Sequence, residues 1–318
     1  MSKTFIRVVE VWVPDAADTL LEFGSGWYGD TRAFGAISRR MCFGRGEGLP
    51  GQAWEQRRPI MLKDLGSGGF LRTQAAAAEG LNCAVAWPVF AGDALRAVVL
   101  IFCGDDEQHV GAIELWRNAA GSHDMVLDSG YYGGTAEVFA FLSQHTAFRR
   151  GTGLPGLVWE QGMPVFMPDL GHATKFLRAE SARQVGINRG FALPCSLPGG
   201  GQGSSRNADT YVMAFLSALA TPIARRLELW TPVAGDGLSR VDGFCEQAGP
   251  LAHDLARTSA TLGLLAQVAA TGVPGVSLQA SAEPGPVGEA ARAAGLTALV
   301  ALPVLHGNEL AAVVAWYF

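Results

Sequence analysis

Two copies of Trp-Glu-Gln stand in this chain, Trp54-Glu55-Gln56 and Trp159-Glu160-Gln161. An indole offers a flat apolar face and one N–H, and a neighbouring carboxylate offers a directed polar group. That combination suits holding a small molecule better than transforming one. The competing reading is that each indole packs on a sheet and each Glu caps or pairs on its own short helix. The five cysteines are odd in number, dispersed and never spaced as CxxC, which fits reduced thiols better than a disulfide framework. Cys42 and Cys83 have Ala147 and Arg189 as counterparts further along the chain. No His or Lys in the local sequence would activate the Cys83 thiol, as nucleophilic or redox chemistry requires. The six histidines form no HxxxH or HxH pair. The reading therefore assigns no catalytic residue and no metal set.

The elements that would position these residues recur. "RVVEVW" (Arg7 to Trp12) returns as "GAIELW" (Gly111 to Trp116) and "RRLELW" (Arg225 to Trp230). "EGLNCAVAWPV" returns as "VGINRGFALPC" and "AGLTALVALPV", anchored by Pro88, Pro194 and Pro303. "GEGLPGQAWEQRRPIMLKDL" returns as "GTGLPGLVWEQGMPVFMPDL"; the third copy keeps the leading Gly263 and the strand-initiating Pro274 but has Ala269 and Ala270 where the others have Trp and Glu. Repetition at a fixed period marks repeated structural units. Within each unit, β-branched runs predict strands, a Gly-Pro turn opens a short helix, and an Ala-rich helix precedes a final hairpin. The second hairpin carries a polar insertion, Pro198 to Asp209, which reads as a flexible surface loop.

Composition bounds the rest. The chain has 318 residues, 49% hydrophobic and 17% charged, with a formal net charge of -5. That supports several buried cores. Arginine pairs are isolated, so no basic stripe points to nucleic acid. No run approaches the roughly 20 apolar residues of a membrane span, and the N-terminus lacks a signal-peptide pattern. A cytoplasmic protein is the expectation.

The pattern GxGLPGxxWExxxPxxxxDL, followed by a helix and the G(L/I)xxxxxxP hairpin, resembles the GAF domain. The resemblance is clear in two units and degenerate in the third. It implies an α+β fold of three tandem modules, each an antiparallel sheet covered by helices, at residues 1–108, 109–222 and 223–318. It also implies a ligand pocket between sheet and helices. Pocket candidates are Phe43, Trp54, Glu55, Asn82, Trp87 and Phe102 in unit one, and Phe148, Trp159, Glu160, Asn188 and Leu193 in unit two, with Ser38 and Ser143 nearby. In unit three the matching wall is Thr258, Ala269, Leu302 and Tyr317, and this unit reads as a packing module. The chain opens on a strand and closes on one at Phe318, so neither flanking helices nor an output domain is expected.

The first functional reading is a non-catalytic regulatory or sensor protein that binds an unidentified small molecule and acts through a protein partner or a second copy of itself. The alternative is a structural or assembly protein whose pockets are filled. A distant third is a GAF-type enzyme reducing free methionine sulfoxide. The resemblance also brings in chromophore-binding members, but no cysteine here is followed by His, and no cofactor is assigned.

Overall fold

The computed structural model describes residues 3–66, 69–104, 109–134, 137–195, 197–198, 209–234, 237–252, 256–259 and 261–318. Residues 199–208 of the polar insertion and the end of the first unit at residue 108 lie outside the described residues.

Unit one runs β1 (Val8–Pro14), β2 (Leu20–Trp27), α1 (Arg32–Ser38), β3 (Cys42–Gly44), α2 (Gly48–Gln56), β4 (Ile60–Leu62), α3 (Thr73–Ala78), β5 (Leu81–Ala91) and β6 (Ala94–Gly104). These strands form one antiparallel sheet in the order β3-β2-β1-β6-β5-β4. Unit two repeats the series as β7 (Gly111–Asn118), β8 (Asp124–Tyr131), α4 (Glu137–Gln144), β9 (Ala147–Arg149), α5 (Gly153–Gln161), β10 (Val165–Met167), α6 (Ala179–Gln184), β11 (Ile187–Cys195) and β12 (Thr210–Ala218). Its sheet order is the same, β9-β8-β7-β12-β11-β10. Unit three has β13 (Arg226–Pro232), β14 (Leu238–Cys245), β15 (Gly249–Pro250), β16 (Arg257–Thr258), α7 (Leu264–Thr271), β17 (Gly275–Ser277), α8 (Gly285–Ala294), β18 (Leu299–His306) and β19 (Glu309–Tyr317). Its order is β15-β14-β13-β19-β18-β17, with β16 also on β14. In every sheet the first and last strands are neighbours. Each unit thus ends beside its own beginning, so a short connector suffices to start the next.

The repeated turn has a steric cause. A Cβ on Gly51 would stand 2.0 Å from the carbonyl oxygen of Gly44, and one on Gly156 would stand 2.3 Å from that of Arg149. Only glycine lets α2 and α5 approach the preceding strand so closely.

Both faces of each sheet are buried. Along β5, Ala84 and Ala86 face the helices, while Cys83, Val85, Trp87 and Val89 face the other way, as the period of two requires. The second faces of all three sheets meet in one central core that includes Val85, Trp87 and Ile101, then Leu115, Leu193 and Phe215, then Val300, Leu302 and Trp316. Trp316 makes edge contacts with Phe191 and Phe215 at 5.6 and 5.5 Å. Trp27 stacks on Phe318 at 3.8 Å.

Around this core the units close on one another. Arg58 lies 3.9 Å from Asp128, joining β4's approach to β8. Phe166 on β10 meets Phe244 on β14 at 5.3 Å, and Arg189 pairs with Glu246 at 2.9 Å. Strand β17 packs against β2. A short edge strand of each unit therefore meets the second strand of another, and the three contacts form a closed ring.

A shared core predicts shared unfolding. Trp316→Ala is expected to cost about 3–5 kcal/mol, as large buried aromatics do. Urea unfolding followed by far-ultraviolet circular dichroism and by tryptophan fluorescence should give one coincident transition at a lower midpoint. A separate early transition with the remainder unchanged would show that the units are energetically independent.

Candidate functional site

The strand motif Glu-apolar-Trp supplies the centre of each unit. Residues two apart on a strand share a face, so Glu10 and Trp12, Glu114 and Trp116, and Glu228 and Trp230 all point beneath the helices. A β-bulge immediately precedes each indole. Each carboxylate accepts from its own tryptophan: Trp12 Nε1 to Glu10 at 3.0 Å, Trp116 Nε1 to Glu114 at 2.9 Å, Trp230 Nε1 to Glu228 at 3.1 Å.

A carboxylate at such depth needs a counter-charge. In unit one Arg72 donates to Glu10 at 2.6 Å and to Ser38 Oγ at 2.5 Å, and the Tyr28 hydroxyl donates to Glu10 at 3.2 Å. In unit two Arg178 donates to both oxygens of Glu114, at 2.5 and 2.8 Å, and to Ser143 Oγ; Tyr132 adds a bond of 3.0 Å. Both guanidiniums sit among rings. Arg72 lies 4.5 Å from the centroid of Phe34, 5.2 Å from Phe70 and 5.4 Å from Phe102. Arg178 lies 4.9 Å from Phe139, 5.3 Å from Trp116 and 5.4 Å from Phe176. The Nε of each has no hydrogen-bond acceptor; aromatic faces cover it, the arrangement of a cation–π cage. The space between sheet and helices in these two units thus holds the protein's own cation.

Unit three supplies the counter-charge from other positions, with two guanidiniums rather than one. Arg226, on the same strand as Glu228, and Arg240, on β14, reach its carboxylate at 2.6 and 3.2 Å, and the Tyr317 hydroxyl donates at 2.7 Å. Burial pushes the Glu114 carboxyl up, but the charge and hydrogen bonds of Arg178 and the bonds from Trp116 and Tyr132 outweigh it and hold the group below its ordinary value. Burial and the charge of Glu10 push the Tyr28 hydroxyl up, and burial and Glu114 do the same for Tyr132.

The sequence candidates are distributed as follows. Phe43, Trp54 and Phe102 are buried together on the helix-covered face of unit one; Phe148 is buried at the matching place in unit two, where Trp159 is half-buried. Trp87 and Leu193 correct the sequence reading: both lie on the opposite face, in the central core, and so does Leu302. Glu55 and Glu160 are exposed and lean back over their own turns, with carboxylate oxygens 3.0 and 2.7 Å from where a Cβ of Gly46 or Gly151 would stand. Asn82 and Asn188 are half-buried, and their carbonyls accept from Leu65 and Leu170 at 3.0 and 2.9 Å. Ser38 and Ser143 are both bound by the buried arginines. Cys83 lies in the central core rather than under the helices, and Cys42 is exposed. Burial pushes the Cys195 thiol up, away from thiolate chemistry. Among the described residues no three His, Cys, Asp or Glu side chains group as a metal site.

The arginines escaped the sequence reading. Their signal was present: "FLR" stands at Phe70 to Arg72 and again at Phe176 to Arg178, and the acid in each core strand demanded a partner.

The open space lies elsewhere. A cleft of about 410 Å³ in unit three is lined by Pro232, Leu238, Ala266, Ala269, Ala270 and Leu310, with Glu309 at its edge. The reading of unit three as only a packing module did not anticipate it.

A Gly-Leu-Pro-Gly turn entering a tryptophan-bearing helix, laid on an antiparallel sheet with further helices on the same face, is the arrangement the sequence resemblance implied. The units are GAF-like. No protein-family model matches the chain, and no curated protein matches it. Solved structures with a GAF-like likeness include the GAF domain of A. aeolicus nlh2 in an inactive state (17% identity, 31% of this chain and 58% of that one, TM-score 0.26). A GAF domain/HD domain protein from Geobacter sulfurreducens matches at 19% identity over 32% of this chain and 65% of that one, TM-score 0.27. The free methionine-R-sulfoxide reductase of Neisseria meningitidis, solved with its substrate, matches at 12% over 35% and 53%, TM-score 0.24. The chain thus spans about half to two thirds of the length of these solved chains.

Breaking the buried pair should cost more than removing it. Arg178→Met leaves Glu114 unpaired and is expected to destabilise by about 3–5 kcal/mol, while Arg178→Met with Glu114→Gln recovers part of that loss. Equal losses in single and double variants, by urea titration, would contradict the pairing. In the wild type the depressed Glu114 carboxyl contributes stability that is present above its unfolded value of 4.5 and is lost as pH falls through the folded value. The raised tyrosines Tyr28 and Tyr132 contribute stability that is present below their unfolded value of 10.0 and is lost as pH rises through the folded ones. The unfolding midpoint should therefore fall at both ends of the pH range.

Proposed function

We propose that this chain is a non-catalytic GAF-like regulatory module that works by binding a protein partner, organised as units at residues 1–108, 109–222 and 223–318. The observation that carries the reading is the pair of caged arginines. Arg72 and Arg178 occupy the space between sheet and helices where a small ligand would sit, and each is tied to a buried carboxylate. A ligand could enter there only by displacing a cation whose removal leaves Glu10 or Glu114 unpaired. The pocket residues of the sequence reading, Phe43, Trp54 and Phe102 with Phe148 and Trp159, then serve to hold the cage. We accordingly favour filled pockets in units one and two over a small-molecule sensor working through them.

The partner reading draws on the turns before α3 and α6 and on helix α4. Leu71 and Leu177, each preceding a caged arginine, expose 56% and 57% of their surface, and Phe141 on α4 exposes 58%. Large apolar side chains left in water at matching places in two units suit a surface that another protein covers. The four buried thiols among five free cysteines suit a reducing compartment, and we place the protein in the cytoplasm. No helix among the described residues is long and apolar enough to cross a membrane.

Native mass spectrometry of the protein purified from its own host tests this reading. The expected result is no small molecule held by units one and two, and a bound protein that is lost when Leu71→Asp and Leu177→Asp are introduced together. A retained small molecule that disappears in Trp54→Ala or Trp159→Ala would contradict it.

A further inference from the structure

The three units give an internal control for one site. Helices α2, α5 and α7 all end in a residue of left-handed conformation, Arg57, Gly162 and Gly272. Counting back three positions from each places Trp54, Trp159 and Ala269 at one structural position. In unit one Trp54 belongs to the same apolar cluster as Leu21 on β2 and Leu95 on β6. Their counterparts in unit three are Leu238 and Leu310: Pro14 pairs with Leu21 as Pro232 pairs with Leu238, and Leu95 and Leu310 open the last strand of each hairpin. Leu238, Leu310 and Ala269 line the cleft of about 410 Å³. The space that unit one fills with an indole is therefore open in unit three, lined by the two matching leucines.

We infer that this cleft is a binding site for a planar aromatic small molecule of indole size that carries a cationic group. The volume lies within the roughly 300–1,000 Å³ of small-molecule sites, which are mostly apolar with a few directed polar groups. The walls are Pro, Leu and Ala, and the one ionised side chain among the lining residues is Glu309. The sister unit shows what chemistry the walls accept, a flat bicyclic ring; Glu309 selects the charge of its substituent. Because Glu309 is exposed, its contribution is that of a solvent-screened pair, about a two- to fivefold preference. The inference does not rest on the filled interiors of units one and two or on a protein partner, and it stands or falls separately from them.

Isothermal titration of the full chain with tryptamine, indole and indole-3-acetate tests it, on wild type and on Ala269→Trp and Glu309→Gln. The expected result is one saturable tryptamine site per chain. Indole should bind about two- to fivefold more weakly and indole-3-acetate more weakly still. Ala269→Trp, which restores the side chain of the sister units, should abolish binding and raise Tm. Glu309→Gln should remove the advantage of tryptamine over indole. If Ala269→Trp does not fold, Ala269→Leu serves, with at least a tenfold loss expected. Absence of saturable binding, or binding that survives substitution at position 269, would overturn the site. Equal affinity for tryptamine and indole-3-acetate would overturn the role of Glu309.

Discussion

A sheet has two faces, and here neither can be left in water. The strands β5, β6, β11, β12, β18 and β19 are buried along most of their length. Helices cover one face of each sheet. The other face packs against the corresponding faces of the two remaining sheets. The apolar surface this hides is worth about 25 cal/mol per Å², and no unit can hide it alone. The ring of contacts from β4 to β8, β10 to β14 and β17 to β2 follows from that requirement, as does the placing of the first and last strands of each unit side by side.

The same constraint explains the interiors. Once both faces are sealed, Glu10, Glu114 and Glu228 lie out of reach of water. A buried carboxylate without a partner is far costlier than one with a guanidinium. Units one and two solve this with an arginine brought from the loop before α3 or α6, and caged by phenylalanines. Unit three solves it from β13 and β14. Different residues supply the counter-charge to a buried carboxylate in each unit, so the requirement is electrostatic rather than a property of one side chain. The consequence for function is that the spaces under the helices of units one and two are occupied, while a cleft opens where unit three lacks an indole.

Much of the architecture was legible. The Gly-Leu-Pro-Gly turn, the short helix after it and the closing hairpin are written as local signals, with Gly51 and Gly156 required by close backbone approach. The α+β class and the antiparallel sheets follow from them. The assignment of faces was less legible. Strands buried on both sides lose the polar–apolar alternation that tells inside from outside, which is why Trp87 and Leu193 read as pocket wall and lie in the central core instead. Glu55 and Glu160 looked like directed polar groups because they adjoin an indole, yet a residue next in sequence on a helix points elsewhere. The arginine cages depend on contacts between residues such as Glu10 and Arg72 that are remote in sequence, and only the paired "FLR" motif hinted at them.

Native-state hydrogen exchange tests the shared core most directly. If the three sheets stabilise one another, the slowest amides of β5 and β6, β11 and β12, and β18 and β19 should exchange with one common free energy, equal to that of global unfolding. A set of core amides in one unit that opens at a distinctly lower free energy, while the other two stay protected, would contradict the account.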